Sequence, residues 1–129
     1  MPVLTITEEN FNAVVEQHPA LVLDFWATWC GPCKSFAPVF EAAAERYPEL
    51  TFGKIDVDAE QGLANAFNIR SVPTLIIIRD MIMVVRESGA LSASQLEKVV
   101  HHARVLDMDD LRAEIAAMEG DLDAIDHAH

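Results

Sequence analysis

Cysteine is scarce in this chain, and so are glycine and positive charge. Among 129 residues there are two cysteines, five glycines and six prolines, and nine basic side chains stand against 21 acidic ones. Two cysteines cannot build a disulfide-dense secreted scaffold, which normally carries four or more. The low glycine and proline content, with 51% apolar residues, excludes disorder over most of the length. A formal net charge of −12 argues against nucleic acid as a partner, because affinity for phosphate backbones comes largely from Lys and Arg. No apolar run approaches the roughly 18 residues of a membrane span, so no membrane partner is expected either. The opening segment Met-Pro-Val-Leu-Thr-Ile-Thr-Glu-Glu lacks a basic stretch followed by a long apolar one, so no secretory leader and a cytoplasmic location are expected. The length suits one domain, able to bury roughly 68% of its unfolded surface without covalent staples.

The two cysteines that are present stand at Cys30 and Cys33, separated by Gly31 and Pro32. A loop this short gains little chain-entropy stabilisation from a disulfide, so a purely structural bridge is the weaker reading. A structural zinc site needs four ligands, and one C-x-x-C supplies two. His101 and His102 lie far along the chain on a helical pattern, where neighbouring residues diverge by about 100° around the axis. Redox chemistry is the better reading, and the flanking residues favour it. Leu21 to Trp26 is a short apolar run with the length of a buried strand, and after Cys33 the apolar residues Phe36, Val39, Phe40, Ala43 and Ala44 recur at helical steps. Cys30 therefore falls where a strand ends and a helix begins. Free N–H groups and the positive end of the helix dipole stabilise a thiolate there, and the thiolate is the nucleophile of disulfide exchange. Pro32 is tolerated in the first helical turn, and Lys34 adds a positive charge.

The rest of the chain alternates strands and helices. Val3 to Ile6 predicts a strand, Thr7 a cap for a helix over Glu8–Gln17, and Thr51 to Val57 a third strand. Asp58 with Gln61 resembles a capping box for a short helix ending at Phe67. The runs 74–79 and 82–87 predict a hairpin, and Ser92 or Ser94 starts a helix that reaches about Leu106. Such alternation argues an α/β domain.

The segment Phe25-Trp26-Ala27-Thr28-Trp29-Cys30-Gly31-Pro32-Cys33-Lys34 resembles the active-site segment of the thioredoxin family. A C-x-x-C alone is a weak signal, whereas W-C-G-P-C-K on a strand-to-helix junction is a specific one. Further segments match in order: Asp24 at the family's buried aspartate, Lys54 at its lysine partner, Ile69 to Leu75 at its cis-proline loop, and Gly89-Ala90 at the border of its substrate groove. The similarity covers roughly residues 3–104. It implies a thioredoxin fold, a central mixed β-sheet with helices on both faces, over residues 1–106, beyond which the residue pattern predicts an extra C-terminal helix over 107–129. It implies a protein disulfide reductase working through a mixed disulfide, with Cys30 as the exposed attacker and Cys33 as the resolving thiol. No cofactor is expected beyond the cysteine pair. The partners implied are disulfide-containing client proteins and a thioredoxin-reductase-type electron donor.

The remaining roles follow from the same resemblance. Within Leu-Val-Leu-Asp-Phe-Trp an ionised Asp24 is expensive to bury, although strict strand alternation alone leaves it a solvated face. The family role is a proton acceptor for Cys33, with Lys54 moderating its charge; a plain surface lysine is the other reading of Lys54. Pro73 is either an ordinary proline at a strand start or, as the family implies, a cis residue that leaves the Val72 backbone free to pair with substrate. Trp29, Gly31, Pro32, Val72, Pro73, Thr74, Gly89 and Ala90 are the expected docking surface, and Trp26 reads as core.

Two features depart from the family. Its hairpin turn usually carries glycine, whereas here it reads Arg79-Asp80-Met81-Ile82, and the strand that follows is apolar on both faces. Residues 104–129 hold eight acidic against two basic side chains and an amphipathic stripe of Met108, Leu111, Ile115, Met118, Leu122 and Ile125. Asp107 is the expected N-cap and Gly120 an interruption. The stripe is expected to cover the 81–85 sheet edge, with dimerisation or client binding as its other uses. A redox-regulated client-binding module or chaperone is the alternative function.

Overall fold

The structure, a computed structural model, describes residues 3–127, with side chains as far as residue 120. In chain order the elements are β1 (Val3–Thr5), α1 (Phe11–Gln17), β2 (Ala20–Trp26), α2 (Gly31–Arg46), β3 (Thr51–Asp56), α3 (Gln61–Ala66), β4 (Thr74–Arg79), β5 (Ile82–Ser88), α4 (Ala93–Val105) and α5 (Met108–His127). The sheet order is β1-β3-β2-β4-β5. β3 runs parallel to β1 and β2, while β4 is antiparallel to both β2 and β5.

β2 is the middle strand, and its sequence explains that position. Leu21, Leu23 and Phe25 face Val14 of α1 and Leu63 of α3, while Val22 faces Phe36 and Phe40 of α2 and Leu96 and Val100 of α4. A strand covered by helices on both sides needs apolar residues at every step, and only Asp24 breaks the run. α2 buries Cys33, Phe36, Phe40, Ala43 and Ala44, one stripe at three- and four-residue spacing. The carboxyl end of β2 and the amino end of α2 thereby bring both cysteines to one rim of the sheet.

Several sequence expectations are corrected. α1 begins at Phe11 rather than Glu8, because Thr7 and Asn10 satisfy each other's backbone N–H groups in a preceding turn (2.8 and 3.2 Å). Asp58 and Gln61 do not form a capping box, since Glu60 precedes α3 without a side-chain cap and the Asp58 carboxylate is engaged elsewhere. Of the two candidate serines, Ser92 caps α4 in a reciprocal box with Gln95. Asp107 accepts from the Asp110 N–H at 3.1 Å, as expected of an N-cap, but α5 continues through Gly120 without interruption.

The hairpin turn is a two-residue loop with both central residues in the left-handed region, Asp80 at φ 51° and Met81 at φ 66°. That geometry matches the right-handed twist of the flanking strands and usually selects glycine or asparagine. The register slips by one residue at Ile77/Ile78, so β5 carries a bulge. The expected cover over this edge is not made: Met81 is 66% and Met83 45% exposed. α5 instead ties to the tip of the hairpin, where Arg112 meets Asp80 at 3.1 Å, and Met118 on its stripe is 64% exposed. Leu122 and Ile125 lie outside the described side chains.

Candidate active site at the amino end of the second helix

Cys30 is the N-cap of α2 and has extended backbone geometry (φ −91°, ψ 111°). Its Sγ accepts the Cys33 N–H at 3.1 Å, and the two cysteines are joined as a disulfide with Cα atoms 5.3 Å apart. A helix start leaves its first N–H groups without intrahelical partners, so one of them is aimed at sulfur. When the bond is reduced, that same N–H and the dipole of a 16-residue helix favour negative charge on Cys30. Pro32 occupies the first turn without cost, having no N–H to satisfy.

Exposure does not distinguish the cysteines in this oxidised state, since each residue is 4% accessible. Their neighbours do. Cys30 Sγ lies 3.5 Å from the Val72 carbonyl oxygen, and the Val72–Pro73 peptide bond is cis. Trp29, 69% exposed, stands beside it, and its indole N–H donates to Asp58 Oδ2 at 2.9 Å. Gly31, Pro32, Gly89 and Ala90 are exposed as expected of a docking rim, and Val72 is half-buried. A groove of about 130 Å³ is lined by Trp29, Val57, Ile69, Arg70, Ser71 and Val72. A larger hollow, about 550 Å³ around Leu4, His18, Ala44 and Leu50, shares no residue with the sulfur site.

Two expected docking residues lie elsewhere than on the surface. Thr74 is 1% exposed and its hydroxyl donates to the Ser71 carbonyl at 2.7 Å, so its side chain braces the loop from within. Pro73 is buried as well, and its carbonyl accepts the Gly89 N–H at 2.8 Å.

Asp24 is wholly buried, and neither carboxylate oxygen has a hydrogen-bond partner. Burial pushes its pKa up to about 6, and the positive charge of Lys54 opposes the rise. Lys54 is its register partner on β3, but the ammonium rests 4.9 Å over the Trp26 ring and forms no close ion pair with the carboxylate. The solvated Asp24 that alternation allows is thus corrected, and the lysine acts on it through space. Asp58, expected only as a helix cap, and Asp56 join the site without having been expected there. Asp56 Oδ1 accepts from the Asp58 and Ala59 N–H groups at 2.9 and 3.3 Å, a turn that presents the Asp58 carboxylate to Trp29. The Asp-x-Asp spacing that begins on the last residue of β3 was its only signal.

Such a centre makes and breaks one S–S bond with transfer of two electrons, and this defines the class as the thiol–disulfide oxidoreductases. Comparison with known proteins narrows it. The family model described as Thioredoxin matches residues 2–102. A Streptomyces coelicolor protein carrying the name thioredoxin 2 is 47% identical over 114 residues, covering 88% of this chain and 85% of that protein. The thioredoxin of Mycobacterium bovis is 42% identical over 95 residues, 72% of this chain and 82% of the relative. Among solved structures, a mutant thioredoxin from Halobacterium salinarum superposes with a TM-score of 0.75 at 32% identity, covering 81% of this chain and 93% of that one. Oxidised mitochondrial thioredoxin 3 from Saccharomyces cerevisiae gives 0.72 at 32% identity, covering 78% and 94%. The chain belongs to the thioredoxin family. No described helix is long and apolar enough to cross a membrane.

Proposed function

We propose that this protein is a cytoplasmic protein disulfide reductase in which residues 1–106 form the working domain and 107–129 an appended helix. In the reduced protein the Cys30 thiolate attacks one sulfur of a client disulfide. A Cys30–client bond forms, and the other client sulfur leaves as a thiolate that takes up a proton. The Cys33 thiol then gives its proton to the Asp24 carboxylate, directly or through water, and attacks Cys30 Sγ. The Cys30–Cys33 disulfide closes and the second client thiolate departs. Two electrons have passed to the client, and a thioredoxin-reductase-type donor returns them to the cysteine pair. Lys54 moderates the Asp24 charge, and Trp29, Gly31, Pro32, Val72, Gly89 and Ala90 receive the client chain.

The observation that carries this reading is the Cys33 N–H on Cys30 Sγ at the helix start, with the Val72 carbonyl beside that sulfur. A backbone carbonyl flanking the nucleophile suits an extended client segment paired edge-on, main chain to main chain. The test is the midpoint potential of the pair in defined thiol–disulfide buffers. A value of about −270 mV, characteristic of thioredoxins, supports a reductant, and one of about −180 mV or higher marks an isomerase or oxidant instead.

The second reading is that α5, an acidic helix with Met118 exposed on its stripe, binds clients or a second copy and turnover is incidental. Cys30→Ser separates the two. The reductase loses its activity entirely with that change, whereas a binding module keeps its clients.

A further inference from the structure

The loop that carries Val72 is held from outside by the edge strand. Arg86, exposed on β5, donates from Nη1 to the Phe67 carbonyl at 2.6 Å and from Nη2 to the Asn68 carbonyl at 2.7 Å. These carbonyls belong to the C-cap of α3 and the residue after it, where Asn68 turns the chain at φ 54°. Three residues separate Asn68 from Val72. At the far end of the same loop, the Gly89 N–H of the segment leaving β5 holds the Pro73 carbonyl at 2.8 Å. One strand and its exit thus fix both ends of the 67–73 loop, and a planar guanidinium is suited to a fork onto two neighbouring oxygens.

We propose that Arg86 is a positioning residue for client docking: its fork onto Phe67 and Asn68 sets where the Val72 backbone stands beside Cys30. It touches neither sulfur. Trp29 and Asp58 rest on two other loops, those before α2 and α3, so loosening the 67–73 loop leaves the nucleophile and its N–H donor in place. The proposal rests on the reading that a client pairs with the Val72 backbone. A protein client therefore senses Arg86, and a small disulfide that meets only sulfur does not.

The experiment compares Arg86→Met and Arg86→Lys with the unaltered protein on two oxidants, insulin and 5,5′-dithiobis(2-nitrobenzoate). Arg86→Met is expected to raise KM for insulin about fivefold, the loss of an exposed charge-assisted pair of hydrogen bonds. Its kcat, its reaction with the small disulfide and its midpoint potential stay unchanged. Arg86→Lys recovers part of the loss, because one ammonium cannot fork to both carbonyls; it also serves should the Met variant fail to fold. An unchanged insulin KM in both variants overturns the role of Arg86, as does an equal fall with both oxidants. If the unaltered protein shows no preference for insulin over the small disulfide, the docking reading itself has failed, and the proposal with it.

Discussion

Asp24 and Asp80 are two aspartates of one molecule in opposite circumstances. Asp24 lies in the central strand with no exposed surface and no hydrogen-bond partner, its pKa pushed up to about 6. Asp80 sits at the exposed hairpin tip, paired with Arg112, its backbone N–H donating to the Pro19 carbonyl at 2.8 Å. The contrast extends to their surroundings. Asp24 is itself an uncompensated polar group, in the strand that leads to the cysteine pair. Around Asp80 the polar groups are matched: Arg79 donates to the Ala103 carbonyl at 2.6 Å and Arg104 pairs with Glu49 at 3.0 Å. Exposed pairs of that kind contribute little individually, about 0–1 kcal/mol. A buried orphan carboxylate costs several times as much, and such groups cluster where chemistry is done. The uncompensated polar cost thus lies in the central strand that leads to the active site, while the polar groups at the distal end are matched by many small contacts.

The largest effect expected is at the rim itself. Cys30→Ser abolishes disulfide reduction in an insulin assay, while retained turnover would place the attack on Cys33. Asp24→Asn comes next, and it acts in two directions. Turnover at pH 7 falls about tenfold or more as Cys33 loses its proton acceptor, and the rise in rate through a pH near 6 disappears. Stability moves the other way. The folded pKa of Asp24 lies above its ordinary 3.8, so stability present below about pH 4 is lost as pH rises through about 6. At pH 7 the oxidised Asn variant is therefore more stable than the unaltered protein by about 3 kcal/mol, and at pH 4 by almost nothing. Urea unfolding of both proteins at the two pH values checks this. A gain independent of pH would mean that the carboxylate is not the source.

Changes at the distal end are smaller. Deleting residues 107–129 removes the buried Met108 and the Arg112–Asp80 pair, and is expected to lower stability by about 2 kcal/mol with insulin reduction unchanged. Lost activity with retained stability would favour the client-binding use of α5. Smallest is Met81→Gly. Met81 holds φ 66° with an exposed side chain, so glycine is expected to raise the unfolding free energy by roughly 0.5–1 kcal/mol. A fall would show that Met81 packs usefully at the edge.

The same contrast governs what could be read from the sequence. The sulfur site was legible because its information is local, a strand, a tight C-G-P-C junction and a helix following one another between Ala20 and Arg46, while Val72, Pro73, Gly89 and Ala90 came from the family resemblance. The alternation of elements argued an α/β domain, and the mixed sheet with helices on both faces came from the family resemblance. Asp24 was half legible, since strand alternation allowed it solvent, and its burial comes from α2 crossing that face of the sheet. The hairpin itself was legible from its two apolar, β-branched runs, but the geometry of its turn and the bulge in β5 were not. A turn with two non-glycine residues at positive φ is tolerated here through contacts with Pro19 and Arg112, distant in sequence. Asp58 and Arg86 were missed for a similar reason, because each acts on a loop that only the fold brings beside it.

The account stands on Cys30 as the attacking sulfur and Cys33 as the sulfur that resolves. Its most direct test is to mix reduced Cys33→Ser protein with oxidised insulin and map the adduct by mass spectrometry. A stable mixed disulfide on Cys30, absent when Cys30→Ser is used with Cys33 intact, is the expected result. An adduct on Cys33 in the Cys30→Ser protein, or none in either, would contradict it.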